Sequence, residues 1–541
     1  MNCYINYKKK LHNNHIKFQL SNIKAQRMKC LLTLVVFTSY WLVCGLAERI
    51  LVLAPLCSKS HKISFMPIVE ALAEKGHHVT VVTPFSTDNR VENVDEIVLE
   101  NDIFKDLNID WFKMQRESTI ESFIRTITMF QTTMKSGYEL LMSNKEFRKI
   151  LDSRDVDLVI VDAILNDFVL PVVEHLNVPY IFYCSASGVP WVMDAVNVPH
   201  QYASVPGGLG DNGSQMTFIE RMGNLISIEM FLLVRKIFWL DILDDRIRRD
   251  FPNSRSFSEI ERDSQLCIIN SHPATAWARP LPQNMVPIPA LHTRPAKPLP
   301  QDLQSLADGA DQGFIIFTLG SAIAVSSMPR NLVKIFIQVF ARIPQQVFWK
   351  WEISDALIDN LPPNVKIAEW LPQQDLLGHE NARLYISHGG LIGIQETVYH
   401  GVPILGIPFG NDQRGNLAKA SEEGYGLKLG WDDLTEELLY DTIQSLLHNA
   451  SYKENATRLS KIMQHQLMPG REIGVYWVEH VLRHGGKHLH SVSKNLPFYQ
   501  HHLLDVWLFL IFTSMTTFFG IFKLTTCLAR KTVKFRKEKT Q

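Results

Sequence analysis

The sequence predicts an α/β protein: two doubly wound domains facing each other across a cleft, followed by one C-terminal transmembrane helix. Three observations carry that reading. Short β-branched runs alternate with helical stretches along most of the chain, the punctuation of βαβ units and a parallel sheet. A proline-rich segment, Arg279–Pro300, breaks the alternation once, near the middle. A charge-free run, Val506–Phe522, lies just ahead of a basic tail. At 541 residues the chain exceeds what one hydrophobic core serves, so two domains of ordinary size are expected in its body.

Apolar residues make up 46% of the chain and charged residues 20%, a globular balance that excludes a disordered, collagen-like or solenoid chain. Lys+Arg and Asp+Glu both count 55, which gives no support to nucleic-acid binding. The neutrality hides a partition. Residues 48–502 hold 41 basic and 53 acidic side chains, a net of −12, whereas residues 1–29 carry seven basic and no acidic ones. An acidic body with basic ends suits a membrane-inserted protein.

At the amino end, the seventeen uncharged residues Cys30–Leu46 follow Met28-Lys29 and close on Gly45-Leu46-Ala47, small residues where a signal peptidase reads. Residues 1–47 are therefore expected to be an extension and a signal peptide cleaved after Ala47. Whether Met1 or Met28 is the working start stays open, and an uncleaved signal-anchor is the alternative. The first α/β domain is expected over 48–290, with strands at Ile50–Ala54, Val79–Thr83, Leu158–Val161 and Tyr180–Tyr183. A helix at Ile68–Lys75 is stopped by Gly76, and Met222–Arg249 is a long helical stretch rich in apolar residues. Arg279–Pro300 holds seven prolines in 22 residues and reads as a linker, because proline continues neither helices nor central strands. The second domain is expected over 291–485, with strands at Phe314–Leu319, Gln346–Trp351, Val365–Ala368, Leu384–Ser387 and Pro403–Ile407. A juxtamembrane segment, 486–502, leads to a transmembrane helix over 503–529, long enough at about 1.5 Å per residue for a hydrocarbon core of roughly 30 Å. The tail, 530–541, is basic and is expected in the cytosol, making a single-pass type I protein with a lumenal body. Its final Lys537-Glu538-Lys539-Thr540-Gln541 resembles a dilysine retrieval signal of the endoplasmic reticulum. Sequons at Asn212, Asn449 and Asn455 are compatible with glycosylation in the lumen. Cys57, Cys184 and Cys267 are too few and scattered for a disulfide framework, and the absence of any Cys-x-x-Cys excludes a zinc ribbon.

Ligands of doubly wound sheets bind beyond the carboxyl ends of the strands, so chemistry is sought just after strands. Gly208-x-Gly210-x-x-Gly213 matches a dinucleotide fingerprint but follows Val205-Pro206, and reads as loop. Asp155-Val156-Asp157 precedes a strand and reads as solvated acid. His484, His488 and His490 are expected to be juxtamembrane surface residues without a metal.

Glu369–Asn416 is different. His388-Gly389-Gly390 follows a strand and opens a helix, so a phosphate can approach backbone N–H groups at the positive end of that helix. The His388 imidazole can add a hydrogen bond. Trp370, after its own strand, offers a face for stacking a base. Glu396, two turns into the helix, presents an acceptor to ribose hydroxyls, and Asp412-Gln413 pairs a carboxylate with an amide, a combination that grips sugar hydroxyls. In the other domain, His61 lies in the loop after the first strand and Asp162 just after the strand Leu158–Val161.

Taken together, Trp-Leu-Pro-Gln-Gln-Asp at 370–375, Ser-His-Gly-Gly at 387–390 and Asp412-Gln413 resemble the nucleotide-sugar signature of the membrane-anchored animal UDP-glycosyltransferases, the arthropod members most of all. The likeness runs from Met28 through the tail. It implies two Rossmann-like domains of the GT-B type, the first binding an acceptor and the second a UDP-sugar. It implies that Trp370 stacks on uracil, that Gln373 and Glu396 serve the uridine, and that His388, Gly390 and Gly393 hold the diphosphate with the Gly320-Ser321 turn. Asp412 and Gln413 would hold the sugar. Ser60-His61 and Asp162-Ala163 match the family's catalytic elements, His61 as base and Asp162 as its partner. Two departures stand out: Ile392 where relatives often carry Asn, and Pro-Ala-Leu-His at 289–292 where a Gly pair is usual. The expected reaction is inverting, metal-independent transfer of a hexose, glucose in preference, to a hydroxyl of a small lipophilic acceptor. No cofactor is implied, the UDP-sugar being a co-substrate. UDP-glucuronate as donor, or an inactive membrane-bound binding protein of the same fold, are the alternatives; a homo-oligomer is left open.

Overall fold

The computed structural model describes residues 47–538, apart from 88–89, 100–110, 115–118, 208–211, 241–246, 322, 324, 352–360 and 411. The leader expected in 1–47, Ala47 aside, the glycines at 208 and 210, and the last three residues of the tail lie outside the described residues.

Among the described residues, two sheets carry the fold, and every strand pairing in them is parallel. The first contains β1 (Arg49–Leu53), β2 (His78–Thr83), β3 (Val94–Val98), β4 (Leu158–Asp162), β5 (Tyr180–Cys184), β6 (Cys267–Asn270) and β7 (Met285–Ile288), in the order β3-β2-β1-β4-β5-β6-β7. The second contains β8 (Phe314–Thr318), β9 (Gln346–Lys350), β10 (Val365–Ala368), β11 (Ala382–Ser387), β12 (Ile404–Gly406) and β13 (Gly426–Lys428), in the order β10-β9-β8-β11-β12-β13. The central strands are buried along their whole length, β4, β5 and β8 without exception. Helices cover both faces of such sheets, and their strands therefore read as continuous apolar runs. In each sheet the order reverses once, between β1 and β4 and between β8 and β11. A crevice opens there at the carboxyl ends.

Helices place the rest. The first, α1 (Lys59–Glu74), starts earlier than its apolar run suggests, because the Ser58 side chain caps it by accepting from the His61 N–H. It buries Phe65, Ile68, Val69 and Leu72, and the turn after it needs Gly76 at φ +93°. The helices α2 (Pro190–Ala195) and α3 (Phe218–Val234) follow β5, and α3 runs on into a π-helical segment, Arg235–Leu240. In the second domain, α4 (Leu391–His400) follows β11 and α5 (Asp412–Glu422) follows β12. The helix α6 (Gly470–His484) crosses back: Val475, Val478 and Val481 pack with Ile68, Leu72 and Ile288 in the core beside the first sheet. Grouped by packing rather than by chain order, α6 goes with the first domain. The proline-rich segment is only partly a linker. It contains β7, which occupies the sheet edge, where Pro287 can lack an N–H without breaking a ladder.

The last helix, α7 (Leu504–Glu538), is exposed along Leu504–Thr532, 29 residues long and apolar enough to cross a membrane. Arg49 pairs with Asp155 and lies 3.7 Å from Asp157. Among the described residues no three His, Cys, Asp or Glu side chains are grouped to hold a metal ion. Cys57, Cys184 and Cys267 are buried thiols.

Because α6 completes the first domain's core, Val478→Asp is expected to cost several kcal/mol, a buried charge without a partner. Limited proteolysis should then open the first domain before the second. Cleavage of the second domain first would contradict the packing.

Candidate functional site

Both halves of the site lie at the switch points. His61 is in the first turn of α1, just past β1, and Asp162 is the last residue of β4, the strand beside it. His61 Nδ1 stands 3.4 Å from Asp162 Oδ2. The carboxylate is 1% exposed and the imidazole 25%, so the pair shows its ring, not its acid, to the cleft. Asn166, which sequence reading passed over, fastens the two loops together. It accepts from the Leu56 N–H at 2.8 Å, donates to the Leu56 carbonyl at 3.2 Å, and its Nδ2 lies 3.5 Å from Asp162 Oδ2.

In the second domain, the turn after β8 and the turn after β11 meet. A Cβ on Gly320 would lie 2.5 Å from the His388 ring, and one on Gly390 would lie 2.6 Å from its Nε2. Glycine is thus required at both positions for the ring to fit, and Gly320 also takes φ +81°. Gly390 caps α4, so the free N–H groups of that helix open beside His388. Burial, helped by the nearby Lys350 cation, pushes His388 down to about 4, so the ring is neutral near pH 7. Lys350, the buried last residue of β9, was not singled out in the sequence. Its Nζ donates to the Gly320 carbonyl at 2.8 Å and stands 5.7 Å from the Trp370 ring. Ser321 is exposed in the same turn.

Trp370 is 57% exposed, unusual for a Trp, with a second lysine, Lys59 of the first domain, also 5.7 Å from its ring. Below it Gln373 is the centre of a buried network. Its carbonyl oxygen accepts from Tyr385 Oη at 2.8 Å and Thr318 Oγ1 at 3.1 Å, and its amide donates to Glu396 Oε2 at 2.6 Å. Gly393, in the first turn of α4, lies against Tyr385 Oη and Gln373 Nε2, and its missing side chain makes room for that network. Burial raises Glu396 to about 7 against the pull of the Gln373 hydrogen bond. His292, from the Pro-Ala-Leu-His segment, stands 3.8 Å from Glu396 and donates to the Ile392 carbonyl at 3.2 Å. Asp412 and Gln413 open α5. Burial raises the Asp412 carboxyl, opposed by a hydrogen bond from Asn416 at 2.8 Å and by the electrostatic influence of His61 across the cleft. The Gln413 carbonyl oxygen is taken by the Phe409 and Gly410 N–H groups, at 2.8 and 3.3 Å, which leaves its amide as a donor.

The two domains also clasp directly. Gln395 donates to Asn270 at 2.8 Å, and Glu422 accepts from the Ser214 N–H and the Trp277 indole, each at 3.0 Å. The sequons lie apart from the His61–Asp162 pair. Asn212 precedes the Glu422 clasp by two residues, Asn449 is an exposed helix cap, and Asn455 donates to the Gly424 carbonyl at 3.1 Å within a helix.

Two parallel sheets meeting across such a cleft define a GT-B glycosyltransferase, and solved structures of that class share the fold. The calicheamicin glycosyltransferase CalG4 superposes with a TM-score of 0.55 at 16% identity, covering 81% of this chain and 99% of that one. The spinosyn forosaminyltransferase SpnP gives 0.54 at 17%, covering 81% and 100%. The family model described as UDP-glucoronosyl and UDP-glucosyl transferase matches residues 48–539, and the chain belongs to that family of UDP-glycosyltransferases. It is 32% identical to UDP-glycosyltransferase UGT5 of Dactylopius coccus over 89% of this chain and 91% of the relative. It is 31% identical to the 2-hydroxyacylsphingosine 1-beta-galactosyltransferase of Rattus norvegicus over 92% of each. With UDP-glucuronosyltransferase 2B15 of Rattus norvegicus it shares 30% identity over 84% and 88%. The protein is an enzyme that transfers a glycosyl group from a UDP-sugar.

Glu396 predicts a pH dependence. A carboxyl raised from 4.5 to about 7 holds its proton more tightly in the folded state. Its stabilising contribution is full below the unfolded value and is lost as pH rises through the folded one. At about 1.4 kcal/mol per tenfold change in proton affinity, the loss is on the order of 3 kcal/mol. Glu396→Gln should therefore flatten the fall in thermal stability between pH 5 and pH 8, measured without UDP. An unchanged slope would show that the carboxyl is not raised.

Proposed function

We propose that the enzyme transfers a hexose, glucose in preference, from UDP to a hydroxyl of a small lipophilic acceptor, with inversion at the anomeric carbon. The observation that carries this reading is the His61–Asp162 pair on one sheet facing Asp412, at the sugar end of the other, across the cleft. In this reading Nε2 of His61 removes the acceptor's hydroxyl proton, and Asp162, accepting from Nδ1, fixes the tautomer and steadies the imidazolium. The oxygen attacks the anomeric carbon in line. The bond to the β-phosphate breaks, and its electron pair leaves with UDP. The amino end of α4, His388 and Lys350 meet the charge that develops there, so fixed donors do the work and no cofactor is needed. Trp370 stacks on the uracil, Gln373 and Glu396 hold the ribose, and Gly390, Gly393 and Ser321 belong to the diphosphate end. Asp412 and the Gln413 amide hold the sugar hydroxyls. Trp191, which donates to the carbonyl of Ala163 at 3.1 Å, offers an apolar wall to the acceptor beside the catalytic pair.

Relatives carry names with glucosyl, galactosyl and glucuronosyl groups, so names alone do not choose the sugar. The arthropod-like motifs favour glucose. A cleavable leader, the apolar α7 and the basic tail together support a type I protein of the endoplasmic reticulum. Its lumenal, glycosylated body would conjugate lipophilic compounds and detoxify them.

General-base catalysis contributes roughly 10²–10⁴-fold. His61→Ala should therefore abolish measurable transfer in microsomes supplied with labelled UDP-glucose and a panel of phenols, with UDP inhibition constants unchanged within a few-fold. A variant keeping a tenth of the wild-type rate would remove His61 from the role of base.

A further inference from the structure

The wall of the first domain beside the catalytic pair contains polar groups that the reaction does not use. The turn between β5 and α2 folds over Cys184, and Gly188 in it adopts φ +108°. A Cβ at Gly188 would lie 3.3 Å from Nη1 of Arg279 and 3.2 Å from Sδ of Met193, so the guanidinium lies against that turn. Arg279 reaches it from the loop that leaves the carboxyl end of β6, which runs beside β5. Both loops leave the carboxyl end of the first sheet. The turn continues into Trp191, bonded to the residue after Asp162, and Trp277, two residues before Arg279, joins the Glu422 clasp to the second domain.

Among the described residues Arg279 makes no ion pair and no hydrogen bond, although burial lowers its proton affinity. Two further groups nearby share this condition. Ser185 Oγ, in the same turn, and His200 Nε2, within electrostatic range of Arg279, are buried without hydrogen-bond partners. His200 is also in range of Asp194 and of Glu229, the latter already engaged by Tyr202. Buried polar groups in proteins are almost always satisfied, and a guanidinium is the side chain best suited to a carboxylate, which it holds with two parallel hydrogen bonds.

We propose that Arg279 binds an anionic group, a carboxylate in the simplest case, on the acceptor. Ser185 and His200 supply the flanking hydrogen bonds. The acceptor is then amphiphilic: a hydroxyl reaches His61 while an acid at the other end is fixed on the turn at Gly188. This rests on the transferase reading above and names the acceptor class for it. A carboxylate could also belong to the donor, as in UDP-glucuronate. The position of Arg279 in the first domain, on the turn that continues into Trp191, favours the acceptor.

The test uses the full-length protein and matched pairs of hydroxyaryl carboxylic acids and their methyl esters. Wild type should use the acids about ten- to a hundredfold better in kcat/KM, the range a charge-assisted contact provides. Arg279→Met should erase that preference through KM for the acids alone, leaving the esters and UDP-glucose as they were. Arg279→Lys should recover part of it. Equal losses on acid and ester, or no preference in wild type, would overturn the proposal, as would a loss confined to UDP-glucuronate. Thermal shift by the acids separates this proposal from the transferase reading. Stabilisation of wild type but not of Arg279→Met, without any transfer, would keep the subsite and sink the reaction; no stabilisation and no preference would sink the subsite. Retained UDP affinity in each variant shows that it has folded.

Discussion

Everything at this site depends on the parallel pairing of the strands. Hydrogen bonding in one direction sends all carboxyl ends of a sheet to the same side, and the loops that leave them must gather there. The reversal of order between β1 and β4 places the loop carrying His61 next to the strand that ends in Asp162. The reversal between β8 and β11 places Gly320 against His388 in the same way. Two residues more than a hundred positions apart become hydrogen-bond partners because their strands are neighbours in register. The clasps through Gln395, Glu422 and the Lys59–Trp370 contact then bring the two crevices face to face.

The donor half is arranged at a cost in stability. Desolvation moves the proton affinities of Glu396, His388, His292 and Asp412 toward the neutral form. Each would be better solvated on the surface. The hydrogen bonds around Gln373 offset part of that cost and hold Glu396 in one place. The same reasoning covers the glycines. Gly320 and Gly390 are small because the His388 ring occupies the space a side chain would take.

Much of the fold was legible because buried parallel strands are written as unbroken apolar runs; β1, β4, β5, β8, β9 and β11 were all read within a residue or two. Four strands escaped reading: β6, reading Cys-Ile-Ile-Asn, is buried throughout but too short a run to stand out, and the other three lack the signal. β3 is an edge strand reading Val-Asp-Glu-Ile-Val, with polar residues facing out, β13 has three residues, and β7 is masked by the prolines around it. The site divides in the same way. Trp370, Gln373, His388, Glu396 and Asp412-Gln413 lie within one segment of fewer than fifty residues, where order and spacing form a pattern. Thr318, Lys350 and Asn166 each arrive alone from a different strand or loop, and a single Lys or Asn in a sequence carries no such pattern. Only the register of the strands reveals what they touch.

The proposed reaction is one displacement: an acceptor oxygen, deprotonated on the first domain, attacks a sugar held on the second from the side opposite UDP. A covalent sugar–enzyme intermediate has no part in it, and the geometry of the product records the difference. The most direct measurement is the anomeric configuration of the glycoside formed from UDP-α-glucose, read from its proton NMR coupling constant before any mutarotation. A β-glycoside is the predicted result. An α-glycoside would mean retention and would contradict the single displacement assigned to His61 and Asp162.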